Sequence, residues 1–198
     1  TICLPAGLYN RGKLEVVAID VGQGDSILIK SPQGKFILID GGGSHLSDVG
    51  KRKVLAYLHH RGIRNLHLMV NTHPDADHLK GLETVLNYTA VKYIAIPYTL
   101  RNDDTYHNLK ALAGQKETPI LPLYKGQILN IEPDFTLEVI YPSQDNTLKS
   151  IDNDHSLVLL GKYRDFSILL TGDIEKLGIE QMLSESKLPV VTILKIPH

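Results

Sequence analysis

The segment His73-Pro74-Asp75-Ala76-Asp77-His78 places two imidazoles and two carboxylates within six positions, directly after the apolar run Leu66–Asn71. A strand ending in such a loop aims its side chains into one pocket, and a helix starting near Asp77 lets that carboxylate cap its N-terminus. Imidazole and carboxylate together suit a divalent cation, and alternate side chains can serve two ions. The plainer reading is an acidic loop with a capping Asp and incidental histidines. A metal is, however, the usual means of keeping Asp and His together away from water.

Two further segments end in a potential ligand. Leu169-Leu170-Thr171-Gly172-Asp173 delivers a carboxylate that either bridges two cations or simply caps the following helix. In the first case it would serve a metal pair about 3.5–4 Å apart, the arrangement used for in-line phosphoester displacement. Ile193-Leu194-Lys195-Ile196-Pro197-His198 delivers an imidazole. All three place a hard or borderline ligand at the end of a buried strand.

The elements that must carry these groups follow from periodicity and punctuation. Leu14–Asp20, Asp25–Lys30 and Phe36–Asp40 read as an antiparallel meander broken at Gly22, Gly24 and Pro32–Gly34. Leu46–His60 has helical spacing, Leu66–Asn71 is a buried strand, and a helix carrying Leu79, Leu82, Val85 and Leu86 begins near Asp77. Val91–Pro97 is a strand and Asp103–Ala113 a polar helix. Phe135–Tyr141, Ser156–Leu160 and Phe166–Leu170 are strands, Ile174–Ser184 a helix and Val190–Ile196 a last buried strand. Two sheets packed face to face with helices outside accommodate this order.

Composition bounds the function. The chain has 198 residues, with 22 Asp plus Glu against 21 Lys plus Arg, so electrostatics alone would not hold nucleic acid. At 42% apolar residues it can build a core. Cys3 is the single cysteine, which excludes an internal disulfide and a cysteine-built zinc site. No apolar stretch approaches the ~20 residues of a membrane-spanning helix. His59, His60, His67 and His107 read as ordinary surface or strand residues, while His45 follows the glycine run and could approach the site. Gly41-Gly42-Gly43 lacks the Lys-Ser/Thr of a P-loop and reads as a tight turn. Lys51-Arg52-Lys53, Arg61 and Arg64 read as solvated helix faces that would hold a phosphate backbone only if they share a face with the metal loop.

The His-x-Asp-x-Asp-His loop, Leu38-Ile39-Asp40-Gly41-Gly42, Thr171-Gly172-Asp173 and the strand ending in His198 together resemble the metallo-β-lactamase superfamily. Asp20-Val-Gly-Gln23-Gly-Asp25-Ser26, Thr72–His78 and Lys195-Ile-Pro-His198 are similar, more narrowly, to the hydrolase-like domain of ComEC-type competence proteins. The match runs from about Leu14 to His198. It implies an α+β fold, an αββα sandwich, with residues 1–198 as a single domain and a dinuclear site along one edge of the two sheets. By motif position His73, Asp75, Asp77 and His78 are implied ligands, Asp173 the bridging carboxylate and His198 or its successor a further ligand. Asp40 is implied to brace the metal loop. Asn153-Asp154-His155-Ser156 lies where the superfamily has a middle histidine, so His155 is either a ligand or a neighbour, with Asn153 in support. Gln23, Asp25 and Lys80 are candidate substrate contacts. Asp75 stands where the superfamily usually has histidine, and this harder ligand favours manganese over zinc, with magnesium a further candidate.

The implied activity is a metal-dependent DNA phosphodiesterase using two divalent ions, with Asp75 or Asp77 orienting the nucleophile. Its implied partners are single-stranded DNA and a membrane channel domain of the same full-length protein. The chain itself would not insert in the membrane. It would lie at the extracytoplasmic face and degrade the strand that is not transported. A soluble cytoplasmic or secreted hydrolase of a small ester or phosphodiester is the enzymatic alternative. A metal-free DNA-binding or scaffold domain is the non-enzymatic one. ComEC-like domains continue past the strand that ends at His198, so the sandwich is expected to lack closing C-terminal elements and expose a sheet edge.

Overall fold

A computed structural model describes residues 12–43, 48–146, 148 and 153–197. It opens with β1 (Glu15–Ala18), β2 (Ile27–Lys30) and β3 (Phe36–Ile39), paired antiparallel in the expected meander. A π-helical stretch over Gly50–Leu55 runs into α1 (Ala56–His60). Then come β4 (Asn65–Leu66), β5 (Leu68–Val70), α2 (Ala76–Tyr88), β6 (Ala90–Val91) and β7 (Ile94–Pro97). A 3₁₀ turn over Asp104–Tyr106, α3 (His107–Gln115) and β8 (Ile120–Leu123) complete the first half. The second half holds β9 (Ile128–Glu132), β10 (Phe135–Tyr141), β11 (Val158–Tyr163), β12 (Phe166–Leu170), α4 (Lys176–Glu185) and β13 (Ile193–Lys195).

Two main sheets result, ordered β1-β2-β3-β5-β7-β8 and β13-β12-β11-β10-β9. Period-two alternation assigns their faces. On β3, Leu38 joins the cluster containing Leu82 and Val85 of α2, whereas Ile37 and Ile39 join Phe135, Leu159 and Ile168 of the other sheet. On the far side, Val158, Leu160 and Leu169 pack with Ile174 and with Met182 of α4. Helix, sheet, sheet and helix therefore stack as four layers, as the αββα expectation requires. Each fully buried Leu or Ile contributes about 1.5–3 kcal/mol, so the alternation is strongly enforced.

Three local expectations are corrected. The sequence reading contains neither β8 nor β9. Pro122 hides β8, because proline withholds a backbone donor; β8 lies at the sheet edge, where that loss is tolerated. Asp75, not Asp77, occupies the N-cap of α2, and its side chain makes no capping bond. The last strand is also not buried. It pairs parallel to β12 at the sheet edge, leaving Ile193 and Leu194 at 43% and 53% exposure. An edge strand has a neighbour on one side only, and the apolar contacts of α4 fall on β11 and β12.

Candidate metal centre

The parallel strands β3, β5, β7 and β8 all end at one edge of the first sheet. Side chains beyond the C-terminal ends of parallel strands meet in a crevice, the general place for a ligand in such sheets. Asp40 follows β3 with φ of 55°, a left-handed conformation that Asp tolerates better than most residues. It is 1% exposed and fully engaged. Oδ1 accepts from Asn71 Nδ2 at 3.1 Å and Thr72 N at 2.8 Å; Oδ2 accepts from the Thr72 hydroxyl at 2.6 Å and lies 3.0 Å from His78 Nδ1. Behind it the buried Tyr106 hydroxyl donates to Asn71 Oδ1 at 2.7 Å. Asp40 thus ties β3 to the loop after β5 and orients an imidazole on α2.

His78 carries the chain of contacts onward, its Nε2 lying 3.1 Å from Asp173 Oδ2. Asp173 follows the Thr171-Gly172 turn at the end of β12, so this pair joins α2 to the second sheet. Lys195 of β13 closes the network: its ammonium reaches Asp173 Oδ1 at 3.2 Å, the Gly172 carbonyl at 2.9 Å and the Asp25 carboxylate. His73 stacks tilted against His78 with ring centroids 4.1 Å apart. Its Nδ1 meets the Thr72 hydroxyl at 3.0 Å, while Nε2 is buried without a hydrogen-bond partner. Asp75 Oδ2 stands 3.7 Å from that nitrogen, beyond hydrogen-bonding reach.

Electrostatics follow from this packing. Burial, reinforced by the neighbouring His78, lowers the His73 pKa and keeps its imidazole neutral, the ligating form. Burial alone would also lower His78, but its bonds to Asp173 and Asp40 outweigh that and raise it to about 10. Burial pushes Asp173 up; the His78 bond and the Lys195 charge override it and hold the carboxyl well below the usual range.

Backbone proximity brings the opening loop to the same place. A Cβ on Gly24 would overlap the Asp77 carbonyl, and one on Gly81 would overlap the Gly41 carbonyl. Glycine is required there because the loop and the turn after β3 lie directly on α2. Gly41–Gly43 serves this approach: Gly42 N donates to the Asp25 carbonyl at 2.7 Å, and the Asp25 carboxylate pairs with Lys195.

The structure brings together the ligand atoms of His73, His78 and Asp173 within 4.8 Å of one another, and those of Asp25, Asp40 and His78 likewise. Asp75 is exposed and Asp77 half-buried at the start of α2. Neither is in those two groups. His155 is buried, its Nε2 lying 3.2 Å from the Leu148 carbonyl and its Nδ1 without a partner. Asn153 donates to Glu175 at 3.1 Å. Gln23 and Lys80 are both exposed, in the opening loop and on α2. His198 and His45 lie outside the described residues. Lys53 pairs with Asp20 at 3.8 Å and Arg61 with Glu15 at 2.8 Å. The sequence reading did not assign Lys195, Thr72, Asn71 or Tyr106 to the site. Lys195 sat inside a quoted motif and could have been found there, as a charged residue in an otherwise apolar strand.

A family model of the metallo-beta-lactamase superfamily matches residues 19–192. The chain belongs to that superfamily. It is similar to ComE operon protein 3 of Bacillus subtilis, at 29% identity over 197 residues, covering 93% of this chain and 25% of that protein. It is also similar to Recombination protein 2 of Haemophilus influenzae, at 31% identity over 186 residues, covering 93% and 21%. The chain spans a quarter or less of the length of these relatives. The ComEC-type resemblance of the opening loop and terminal strand agrees with the first of them. A Cronobacter sakazakii metallo-beta-lactamase with a HARLDQ motif matches with a TM-score of 0.60 at 15% identity, over 92% of this chain and 74% of that one. CmlA, a diiron beta-hydroxylase from Streptomyces venezuelae, matches with a TM-score of 0.55 at 14% identity, over 91% and 34%. At such identities the likeness is one of fold.

Members of this superfamily usually bind divalent metals, and the residues here fit one. His73 Nε2 is an unpartnered buried nitrogen, His78 Nε2 and Asp173 lie beside it, and Asp40 holds the far side of the His78 ring. An imidazole whose other nitrogen is held by a carboxylate is the usual support of a metal-binding histidine.

Proposed function

We propose that this chain is a metal-dependent phosphodiesterase that cleaves DNA. The observation that carries the reading is the convergence of His73, His78 and Asp173 from separate elements, with His73 Nε2 buried and unpaired. One relative is named for recombination and the other for the ComE operon, which together with the ComEC-type resemblance favours DNA as the polymer. His73, His78 and Asp173 would hold one divalent ion, with Asp75 and Asp77 at the head of α2 and His198 as the remaining ligands of a pair. Such ions, when bound, activate water and neutralise charge on a phosphoryl group. Asp40 fixes the ring of His78, Thr72 fixes that of His73, and Asp75 or Asp77 would orient a water at the mouth. Burial keeps bulk water from the inner side of the site. In the full-length protein this domain would work at the extracytoplasmic face beside a membrane channel, degrading the strand left outside. Among the described residues no helix is long and apolar enough to cross a membrane.

Cleavage of labelled single-stranded and duplex DNA, and of a small aryl phosphodiester, in a matched series of free Mn²⁺, Mg²⁺ and Zn²⁺ tests this. The expected result is cleavage of single strands with Mn²⁺ best, and a shift toward Zn²⁺ in Asp75→His protein. Hydrolysis of the small diester alone would favour the small-substrate enzyme, which the net charge of −1 makes the natural rival. Absence of both activities with every metal would leave a binding module.

A further inference from the structure

We infer that Tyr98, Arg101 and Tyr124 form a stacking subsite for a nucleobase on the sheet edge that carries the metal centre; this rests on the reading of the chain as a DNA-cleaving enzyme. The placement comes from strand register. Val70 pairs with Ala95 in the parallel ladder of β5 and β7. Asn71 N, just past β5, donates to the Ala95 carbonyl at 2.9 Å, and Tyr98 follows directly on β7, so Tyr98 leaves the sheet at the C-terminal edge from which the loop after β5 also departs. Pro97 pairs with Leu123 between β7 and β8, and Tyr98 N donates to the Leu123 carbonyl at 2.7 Å. The residue directly after β8 is Tyr124.

The side chains make a platform of the kind that binds unstacked bases. The rings of Tyr98 and Tyr124 meet edge to face, with centroids 5.6 Å apart. The Arg101 guanidinium lies 3.7 Å from the Tyr98 ring centroid and is pinned there by a 2.7 Å bond from Nη1 to the Tyr98 carbonyl. The cation–ring pairs at Tyr57, Tyr93 and Tyr163 are looser, at 5.8, 5.2 and 5.1 Å. All three members of the cluster are half-buried, so each keeps some surface for a ligand. Beneath them Leu100 is buried, and Tyr106 at the end of the same segment bonds to Asn71 beside Asp40. The segment that carries Tyr98 and Arg101 is therefore tied through Tyr106 to the framework around Asp40, and the Arg101 contacts hold the platform in one arrangement.

Chemistry selects a base as occupant. A guanidinium and aromatic rings offer π surface to any base, together with one positive charge for the backbone. Single strands expose their bases and duplexes do not, so the subsite would select single-stranded substrate on a chain with little net charge to hold phosphates. It supplies affinity that electrostatics does not.

The test is fluorescence anisotropy of a labelled oligothymidylate and of an abasic oligomer of equal length and charge, without divalent metal so that no cleavage intervenes. Wild-type protein is expected to bind the oligothymidylate about 5- to 150-fold more tightly than the abasic oligomer, the range for one stacked base. Tyr98→Ala and Arg101→Ala should remove most of that preference, and Tyr98→Phe should retain it. Equal affinity of wild-type protein for both oligomers overturns the proposal without reliance on any variant. So does a preference that survives Tyr98→Ala and Arg101→Ala. Cleavage of DNA without base preference would refute the subsite and leave the nuclease reading intact. Base-dependent binding with no cleavage in any metal would do the reverse.

Discussion

Asp40 shows how much of this site depends on one carboxylate. It sits in a left-handed backbone conformation, is almost wholly buried, and receives three protein donors while facing His78. Asn at this position keeps size and backbone tolerance but turns an acceptor into a donor against groups that already donate. Asp40→Asn should therefore cost about 2–3 kcal/mol in chemical denaturation. It should also weaken Mn²⁺ binding 10- to 100-fold by titration calorimetry, since supporting bonds to metal-binding imidazoles act on that scale. Unchanged Mn²⁺ affinity would remove Asp40 from the site's support.

The proton on His78 gives a second test at this scale. Its pKa is raised from 6.5 to about 10, so in metal-free protein the protonated ring stabilises the fold fully below about pH 6.5. That contribution fades as pH climbs toward 10. Asp173, held low, works in the opposite sense: its contribution is present above the usual carboxylate range and is lost as acid protonates it. An ion on His78 Nε2 must displace the proton shared with Asp173. Metal uptake should release a proton near neutral pH and tighten as pH rises. Calorimetry in buffers of different ionisation heat checks this, and a buffer-independent enthalpy would contradict it.

Among the elements, α2 is the one the rest are shaped around. Its first turn carries Asp77 and His78, and its glycine-bearing face admits the turn after β3 at backbone distance. Gly81→Ala would gain about 1 kcal/mol of helix propensity. The added methyl would overlap the Gly41 carbonyl, which is backbone and cannot swing aside. Overpacking of this kind costs about 1–3 kcal/mol, and here the displacement would pass to Asp40 next door. The expected outcome is a lower Tm together with weaker metal binding. A rise in Tm would mean that the contact between loop and helix is not tight.

At the scale of the whole molecule, the exposed sheet edge stands out. Ile193, Leu194 and Ile196 are 43%, 53% and 66% exposed on and just after β13, and Val190 is fully exposed before it. β13 has no second neighbour among the described residues, and an apolar edge of that kind is a template for pairing with another chain. This chain should self-associate at high concentration, and Leu194→Lys with Ile196→Lys should shift it toward monomer in sedimentation velocity. A monomer at all concentrations would show that the edge is inert. Lys195, between the two substituted positions, is left in place because it holds Asp25 and Asp173.

The ligand loop, the meander and the alternating faces of β3 could all be read from neighbouring residues, because each is encoded by spacing within a few positions. Ile37, Leu38 and Ile39 alternate wherever the strand lies, and His73 and His78 share a loop whatever packs upon it. The family signature was legible for the same reason, since its pieces are short and ordered. The links between pieces were not. The contact of Lys195 with Asp25, the reach of Tyr106 to Asn71 and the meeting of Tyr98 with Tyr124 join segments far apart in the chain. Local periodicity carries no record of which strands become neighbours. β8 and β9 escaped because proline and polar residues blur alternation at sheet edges, and the exposure of β13 depends on what else lies over it. Those outcomes are set by how two sheets close on each other, where burial of the shared apolar faces selects one register and the polar groups at the rim pair with whatever that register delivers.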